Sequence, residues 1–180
     1  MSVLEIAKNI QAMDLFTVLR GSDYVYPIVL SCHLVGIAFF AGMILVVDLR
    51  LLGLAMRDYP LSQLVGSLRV PKRIGFAVVA TCGILLAGSK AVEYSYNSFF
   101  QLKLALLALA GMHALVFRRS VYNNTAELDR LASMPIHAKV AGGLSLVLWT
   151  SIVISGRGIG YLKAPIERLS VAVIGATWIF

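Results

Sequence analysis

Four apolar runs, each long enough to cross a membrane, constrain the fold of this chain more than any other feature. An α-helix needs about 20 residues to span the hydrocarbon core of a bilayer. The runs cover roughly residues 24–47, 74–91, 99–117 and 140–159. Of the 180 residues, 59% are hydrophobic and only 14% are charged, whereas soluble domains have about 25% charged residues. The sequence therefore predicts an all-α protein with one polytopic membrane domain, residues 1–180, built as a four-helix bundle.

The segments that flank the four runs are also expected to lie at the membrane. Residues 1–20 place apolar side chains mainly on one side of a helix and charges on the other, which is typical of an amphipathic interfacial helix. This segment lacks the basic and apolar regions of a signal peptide, and a frayed, solvated tail is the alternative. The apolar stretch at residues 166–180 is too short to span, so we expect it at the interface or packed on a partner.

Lysine and arginine are distributed unevenly among the connecting segments. The loops after the first and third runs hold nine of the 16 basic residues, and basic loops stay in the cytoplasm. We therefore predict cytoplasmic loops at these two places, periplasmic termini, and a location in the bacterial inner membrane. The net charge of +7 then indicates contact with anionic lipid and not nucleic acid, because no basic face is free of the membrane.

Small residues recur at about one-turn spacing on the second and fourth runs. They are Gly83, Ala87 and Ala91 in the second run, and Ala141, Gly142 and Ser145 in the fourth. Such seams let two helix backbones approach closely. Glycines in the first run, Gly36 and Gly42, allow the same close packing, or a planar groove for a flat ligand, and the pattern leaves both uses open.

Ionisable side chains inside apolar runs usually face the bundle interior and have a partner. His33 lies in the first run, and Gly36 follows it by about one turn. The pattern His-x-x-Gly leaves room beside an imidazole for a porphyrin. We therefore expect His33 to be an axial ligand of haem iron, with an interhelical hydrogen bond as the alternative.

His113, in the third run, is the preferred second ligand of the iron by its chemistry, and Lys103 is the runner-up. Counted from the ends of the runs, His113 lies roughly 7 to 18 Å deeper than His33, which strains a bis-histidine pair. Lys103, near the outer end, would neutralise a haem propionate, as would Arg157 between glycines at the end of the fourth run. The alternatives are snorkelling of Lys103 to the headgroups and lipid anchoring by Arg157.

Several familiar chemistries have no counterpart in the sequence. It contains no CxxC, no HExxH and no phosphate-binding loop of the Walker type. The two cysteines, Cys32 and Cys82, lie inside the first and second runs. We interpret both as small packing residues and not as a disulfide.

The stretches YPIVLSCHLVGIAFFAGMILVVDLRLLG, FFQLKLALLALAGMHALVF and SLVLWTSIVISGRGIGY resemble a family of uncharacterised bacterial four-helix inner-membrane proteins. That family brings no assigned activity. More distantly, the layout is similar to the HemJ protoporphyrinogen oxidases and to the CopD copper-resistance membrane domain.

The motifs that carry the HemJ likeness lie in the first and third runs. They are His33, Gly36, Ala41-Gly42 and Arg50 in the first, and Lys103-Leu104 followed by His113 in the third. The resemblance implies that His33 and Lys103 serve haem binding. The spacing before His113 is one residue shorter than in HemJ, which turns this side chain by about 100°. The shortage of methionine, histidine and cysteine clusters argues against copper handling.

These observations lead to two functional hypotheses. The first is a b-type haem-binding membrane protein for electron transfer or haem-assisted redox chemistry on a lipophilic substrate, with a redox partner in the membrane. Whether such a protein is an enzyme stays open. The second is a cofactor-free anchor or assembly subunit of a larger membrane complex, in which His33 is an interhelical hydrogen-bonding residue.

Overall fold

The chain folds almost wholly into helices. The computed structural model describes residues 2–131 and 133–161, and these residues contain no strand. The helices are α1 (Val3–Gln11), α2 (Asp14–Gly21), α3 (Val25–Leu52), α4 (Leu61–Ser89), α5 (Ala91–Ser95), α6 (Ser98–Val116), α7 (Thr125–Leu128) and α8 (Ile136–Tyr161). A π-helical turn, Arg118–Tyr122, lies between α6 and α7. The all-α prediction is confirmed, and the predicted tail at residues 166–180 lies outside the described residues.

Four of these helices, α3, α4, α6 and α8, are long and apolar enough to cross a membrane. The four predicted spans are thereby confirmed, but α4 begins at Leu61, well before the expected start at residue 74. The stretch RVPKR, which precedes the predicted second run, is therefore helical, and Pro71 lies inside α4. Leu61 and Leu64 are buried, and this burial offsets the backbone hydrogen bond that a proline removes.

The amphipathic segment at residues 1–20 forms two short helices and not one. α1 begins with a capping box, in which Ser2 and Glu5 each accept a hydrogen bond from the other's backbone N–H. The backbone then becomes extended at Met13, and Asp14 opens α2. An acidic residue in the first turn stabilises a helix N-terminus, which explains the second start.

The two N-terminal helices pack on the end of α4. Phe16 occupies the space that Gly88 leaves by lacking a side chain, and Arg20 donates a hydrogen bond to the Ser89 carbonyl oxygen at 3.2 Å. Apolar side chains on the other side of these helices stay exposed: Val3, Ile6, Leu15 and Val18. The exposed apolar surface fits helices that lie at the membrane surface.

The four long helices form a bundle that is open on one side. α3 packs against α4 and α8, and α6 packs against α8, whereas α4 and α6, both fully described, make no extensive contact with each other. Gly83 meets His33 and Gly75 meets Phe40, so α3 and α4 run antiparallel. Gly142 meets Asp48 and the Trp149 ring packs on Phe40, so α3 and α8 run antiparallel as well. We name the end where α3 begins the outer end and the end where α3 finishes the inner end, following the predicted orientation.

The densest apolar packing lies at the inner end of the bundle. Its buried members are Val47, Leu51, Leu61, Leu64, Val121, Leu128, Ala138 and Ala141. They come from α3, α4, the π-helical turn, α7 and α8. The apolar stretches of the spans are far more exposed, as expected for side chains that contact lipid. The buried apolar cluster therefore joins the helices at one end of the bundle.

One carboxylate caps a helix from a distant part of the chain. Asp129, which follows α7, accepts hydrogen bonds from the backbone N–H groups of Leu61 at 2.6 Å and Ser62 at 2.9 Å. Burial acts to raise the pKa of Asp129, but hydrogen bonds from Ser62 and Leu61 and the nearby charge of Arg50 outweigh it, so the pKa is lowered. The start of α4 is thus held by a residue outside its own sequence neighbourhood.

We expect Asp129→Ala to lower the free energy of unfolding by about 1 kcal/mol, because two helix N–H groups lose their acceptor. Thermal unfolding in detergent measures the change, with Asp58→Ala as a control that removes an exposed carboxylate from the same end. Because the folded pKa of Asp129 is lowered, its contribution is present above the unfolded pKa and is lost as the pH falls through the folded pKa. Equal stability of the two variants at neutral pH would contradict the capping role.

Candidate functional site

His33 lies on α3 where this helix meets α4. Its side chain is only 8% exposed. A Cβ atom added to Gly83 would lie 3.1 Å from His33 Cε1, so the imidazole occupies the space that this glycine leaves. The imidazole interacts with the Val79 backbone of α4, but its Nδ1 is buried and has no hydrogen-bond partner in the described part of the chain. A buried polar atom without a partner costs free energy, which makes His33 a candidate ligand.

Lys103 brings α6 to the same level of the bundle. Its ammonium is close enough to act electrostatically on His33, and its Nζ lies 3.5 Å from the position of a Cβ at Gly156 of α8. Among the described residues no carboxylate forms an ion pair with it. We call His33 and Lys103, with the glycines Gly83 and Gly156 beside them, the outer site.

Gly36 lies in a packing contact between α3 and α4, and Arg157 lies exposed near the end of α8. A Cβ at Gly36 would lie 3.0 Å from Val79 Cγ2, so Val79 already fills the space that a porphyrin was predicted to use. Gly36 therefore serves the close packing of α3 on α4. Arg157 is exposed, donates a hydrogen bond to the Tyr161 hydroxyl at 2.8 Å, and lies over the Tyr161 ring.

His113 lies far from the outer site. Its Nε2 is 3.0 Å from the Ala141 carbonyl oxygen of α8, and the side chain is 8% exposed. Lys103, which neighbours His33, contacts α8 at Gly156 instead. Fifteen residues separate these two positions on α8, a distance of about 22 Å along the helix. The structure therefore does not bring His33 and His113 to one iron, and the predicted difference in depth is the physical reason.

A second polar cluster, which the sequence analysis did not identify, lies at the inner end. Asp48 is 1% exposed, and its Oδ2 has no hydrogen-bond partner among the described residues. The Ser145 hydroxyl lies beside both the Asp48 carboxyl group and the Tyr122 phenol, and Lys72 lies within electrostatic range of Asp48. His113 adjoins the cluster, with its ring centroid 6.4 Å from that of Tyr122. We call Asp48, Lys72, Tyr122 and Ser145 the inner cluster.

The phenol of Tyr122 stays protonated in this environment. Burial, followed by the negative charge of Asp48, raises the pKa of Tyr122 to about 12, although the hydrogen bond with Ser145 acts in the opposite direction. At neutral pH the hydroxyl is therefore a hydrogen-bond donor. The inner cluster combines a carboxyl group, an ammonium and a neutral phenol at the end of the membrane spans.

Within residues 2–131 and 133–161, no group of three or more histidine, cysteine, aspartate or glutamate side chains could hold a metal ion. Cys32 and Cys82 are both free.

Comparison with known proteins places the chain in a family. The model of a family of unknown function, DUF6644, matches residues 18–162. The chain belongs to this family. The match begins within α2, continues through α8, and confirms the resemblance to an uncharacterised family.

No curated protein and no solved structure matches the chain significantly. The more distant likeness to HemJ and CopD therefore has no support from named relatives and stays a prediction from the motifs. The DUF6644 match covers both the outer site and the inner cluster, but its description assigns neither of them a role.

Proposed function

We propose that this DUF6644 member binds b-type haem in the outer site, with His33 as an axial ligand. The observation that carries the proposal is the buried Nδ1 of His33, which lacks a partner. Coordination to iron satisfies an imidazole nitrogen that the bundle leaves unpaired. His113 takes no part in this site.

The charge at Lys103 also supports the proposal. Its half-buried ammonium faces no carboxylate in the described part of the chain, and a haem propionate would neutralise it. The opening between α4 and α6 gives a flat apolar ring access from the membrane. The residues present thus fit one axial ligand and one propionate partner, while Gly36, behind Val79, supplies no space.

Bound haem would supply a one-electron redox centre close to the outer end of the bundle. The chain itself would orient the ring through His33 and hold a propionate through Lys103. Arg157, exposed at the same end and held by Tyr161, provides a further cation where a redox partner would approach. The function would be electron transfer, or redox chemistry on a lipophilic substrate.

One observation favours a second candidate, a cofactor-free anchor or assembly subunit. The His33 ring fits into the gap at Gly83, with Cε1 at 3.1 Å from the position of a Cβ. A histidine with a purely structural role would pack in this way. In that case the described bundle would provide binding surfaces for the other subunits of a larger membrane complex and would carry no redox centre.

A visible spectrum distinguishes these two functions. We expect the protein purified in detergent to show the α-band of a b-type haem in the dithionite-reduced minus oxidised spectrum, either as isolated or after addition of haemin. A folded wild-type protein that stays colourless after haemin addition would refute the haem proposal and leave the anchor subunit.

The orientation in the bacterial inner membrane is part of the proposal. Basic loops favour the cytoplasm. At fusion points after Arg57 and after Arg119, we therefore expect activity from a reporter that works in the cytoplasm and none from a reporter that works in the periplasm. The fusion point after Tyr94, between α4 and α6, is the matched control. There we expect activity only from the reporter that works in the periplasm. A periplasmic reporter that is active after Arg119 would reverse the orientation.

A further inference from the structure

A cavity of about 330 Å³ opens at the inner end, between α4 and the π-helical turn. It is lined by Val65, Arg69, Lys72, Arg73, Tyr122 and Asn123. Three of these six residues are cations, and no carboxylate is among them. Within the described ranges, none of the three cations forms an ion pair with a carboxylate. The cavity therefore concentrates positive charge that the described residues leave unpaired.

The polar groups of the cavity are mainly hydrogen-bond donors. Two guanidinium groups and one ammonium carry positive charge, and the Tyr122 phenol stays protonated at neutral pH. The Asn123 side-chain amide supplies a further N–H₂ group. Asp48 acts electrostatically on Lys72 and Tyr122 but does not line the cavity. Guanidinium and ammonium groups that line one cavity together with neutral donors match the oxygens of a phosphate group.

The place of the cavity in the bundle favours a lipid as the source of that phosphate. Lys72 and Arg73 lie just before the apolar part of α4, at the level where lipid headgroups begin. Since α4 and α6 make no extensive contact with each other, acyl chains can lie between them. Basic pockets between transmembrane helices on the cytoplasmic side bind anionic headgroups in this way.

We propose that the inner cavity binds the phosphate group of an anionic phospholipid whose acyl chains lie between α4 and α6. This site is separate from the outer site and does not depend on haem. Free phosphate ion would satisfy the same donors, but without the contribution of the acyl chains. A lipid should therefore stabilise the folded protein more than free phosphate does.

Thermal unfolding of the full chain in a neutral detergent tests the proposal. Dioctanoyl phosphatidylglycerol should raise the melting temperature by several degrees, because a ligand that binds only the folded state stabilises it. Dioctanoyl phosphatidylcholine, which is zwitterionic, should raise it less. A similar rise in melting temperature with inorganic phosphate alone would show that the cavity binds a free anion, and it would overturn the assignment to a lipid. No difference between the two lipids, and no effect of phosphate, would overturn the proposal.

Matched variants separate the cavity from general surface charge. Lys72→Gln should abolish most of the rise with phosphatidylglycerol, whereas Lys139→Gln removes the same charge from an exposed position outside the cavity and should preserve it. Tyr122→Phe keeps the ring but removes the donor hydroxyl, and it should weaken lipid binding without a change in net charge. Equal losses in the Lys72 and Lys139 variants, with no loss in Tyr122→Phe, would show attraction to basic loops in general and refute a built site.

Discussion

We expect His33→Ala to abolish the α-band of the haem that we propose for the outer site, and His113→Ala to leave this band in place. This is the result that we expect from the geometry, because the imidazole of His33 lies in the outer site and that of His113 contacts Ala141 at the inner end, about 22 Å away along α8. Both variants remove a buried imidazole of the same exposure. The His113 variant is therefore a close control for damage to the bundle.

A rescue experiment distinguishes an iron ligand from a packing residue. His33→Gly leaves a gap beside Gly83, and free imidazole can enter it and restore the band if the ring binds iron. A residue that only packs would not give a spectrum that depends on added imidazole. Loss of the band in both histidine variants, with no rescue, would point to general unfolding and contradict the assignment of His33.

Lys103→Gln tests the electrostatic part of the outer site. The variant should keep the band but lower the midpoint potential, because the loss of a positive charge near a propionate disfavours the reduced state. Arg157→Gln is the control at the same end of the bundle, and its exposed side chain should affect the potential less. An unchanged midpoint potential in Lys103→Gln would contradict the proposed contact between Lys103 and a haem propionate.

Much of the fold follows from hydropathy alone. Four apolar runs predict four spans, because a backbone inside a bilayer must satisfy its own hydrogen bonds. The start of α4 could not be predicted in this way, since residues 61–73 are not apolar enough to be recognised as part of a membrane span. Their helix depends on contacts that are remote in sequence, namely the burial of Leu61 and its N–H bond to Asp129. The pattern in residues 1–20 predicted the amphipathic character of this segment, but it did not predict the break between α1 and α2 at Met13.

The two polar sites differ in how far the sequence could reveal them. His33 and Lys103 stand out because each interrupts an apolar run, and the structure places them at one level. Asp48 directly follows the first apolar run, where a charged residue at the membrane boundary is common and gives no specific signal. Its neighbours Ser145 and Tyr122 carry no signal of their own, because their meeting depends on the register between α3 and α8 and on the π-helical turn.

The packing of α3 on α8 gives the other large expected effect, and two adjacent glycines allow a matched comparison. A Cβ at Gly142 would lie 3.0 Å from the Asp48 carbonyl oxygen and 3.0 Å from Leu51 Cβ. A Cβ at Gly143 would meet only Leu52 Cδ2, at an ordinary 3.8 Å. The first position is constrained partly by backbone, which cannot rotate away, whereas the second faces the end of a flexible side chain.

We therefore expect Gly142→Ala to lower the free energy of unfolding by about 1 to 3 kcal/mol, as overpacking does, and Gly142→Leu to lower it further and to disperse the detergent-purified protein into several species. Gly143→Ala should be neutral or stabilise the helix by up to about 1 kcal/mol, because alanine favours the helical state over glycine. Thermal unfolding and size-exclusion chromatography measure both. If the two alanine variants behaved alike, the close approach of α3 to α8 at Asp48 would be wrong. The inner cluster that depends on this approach would then lose its geometry as well.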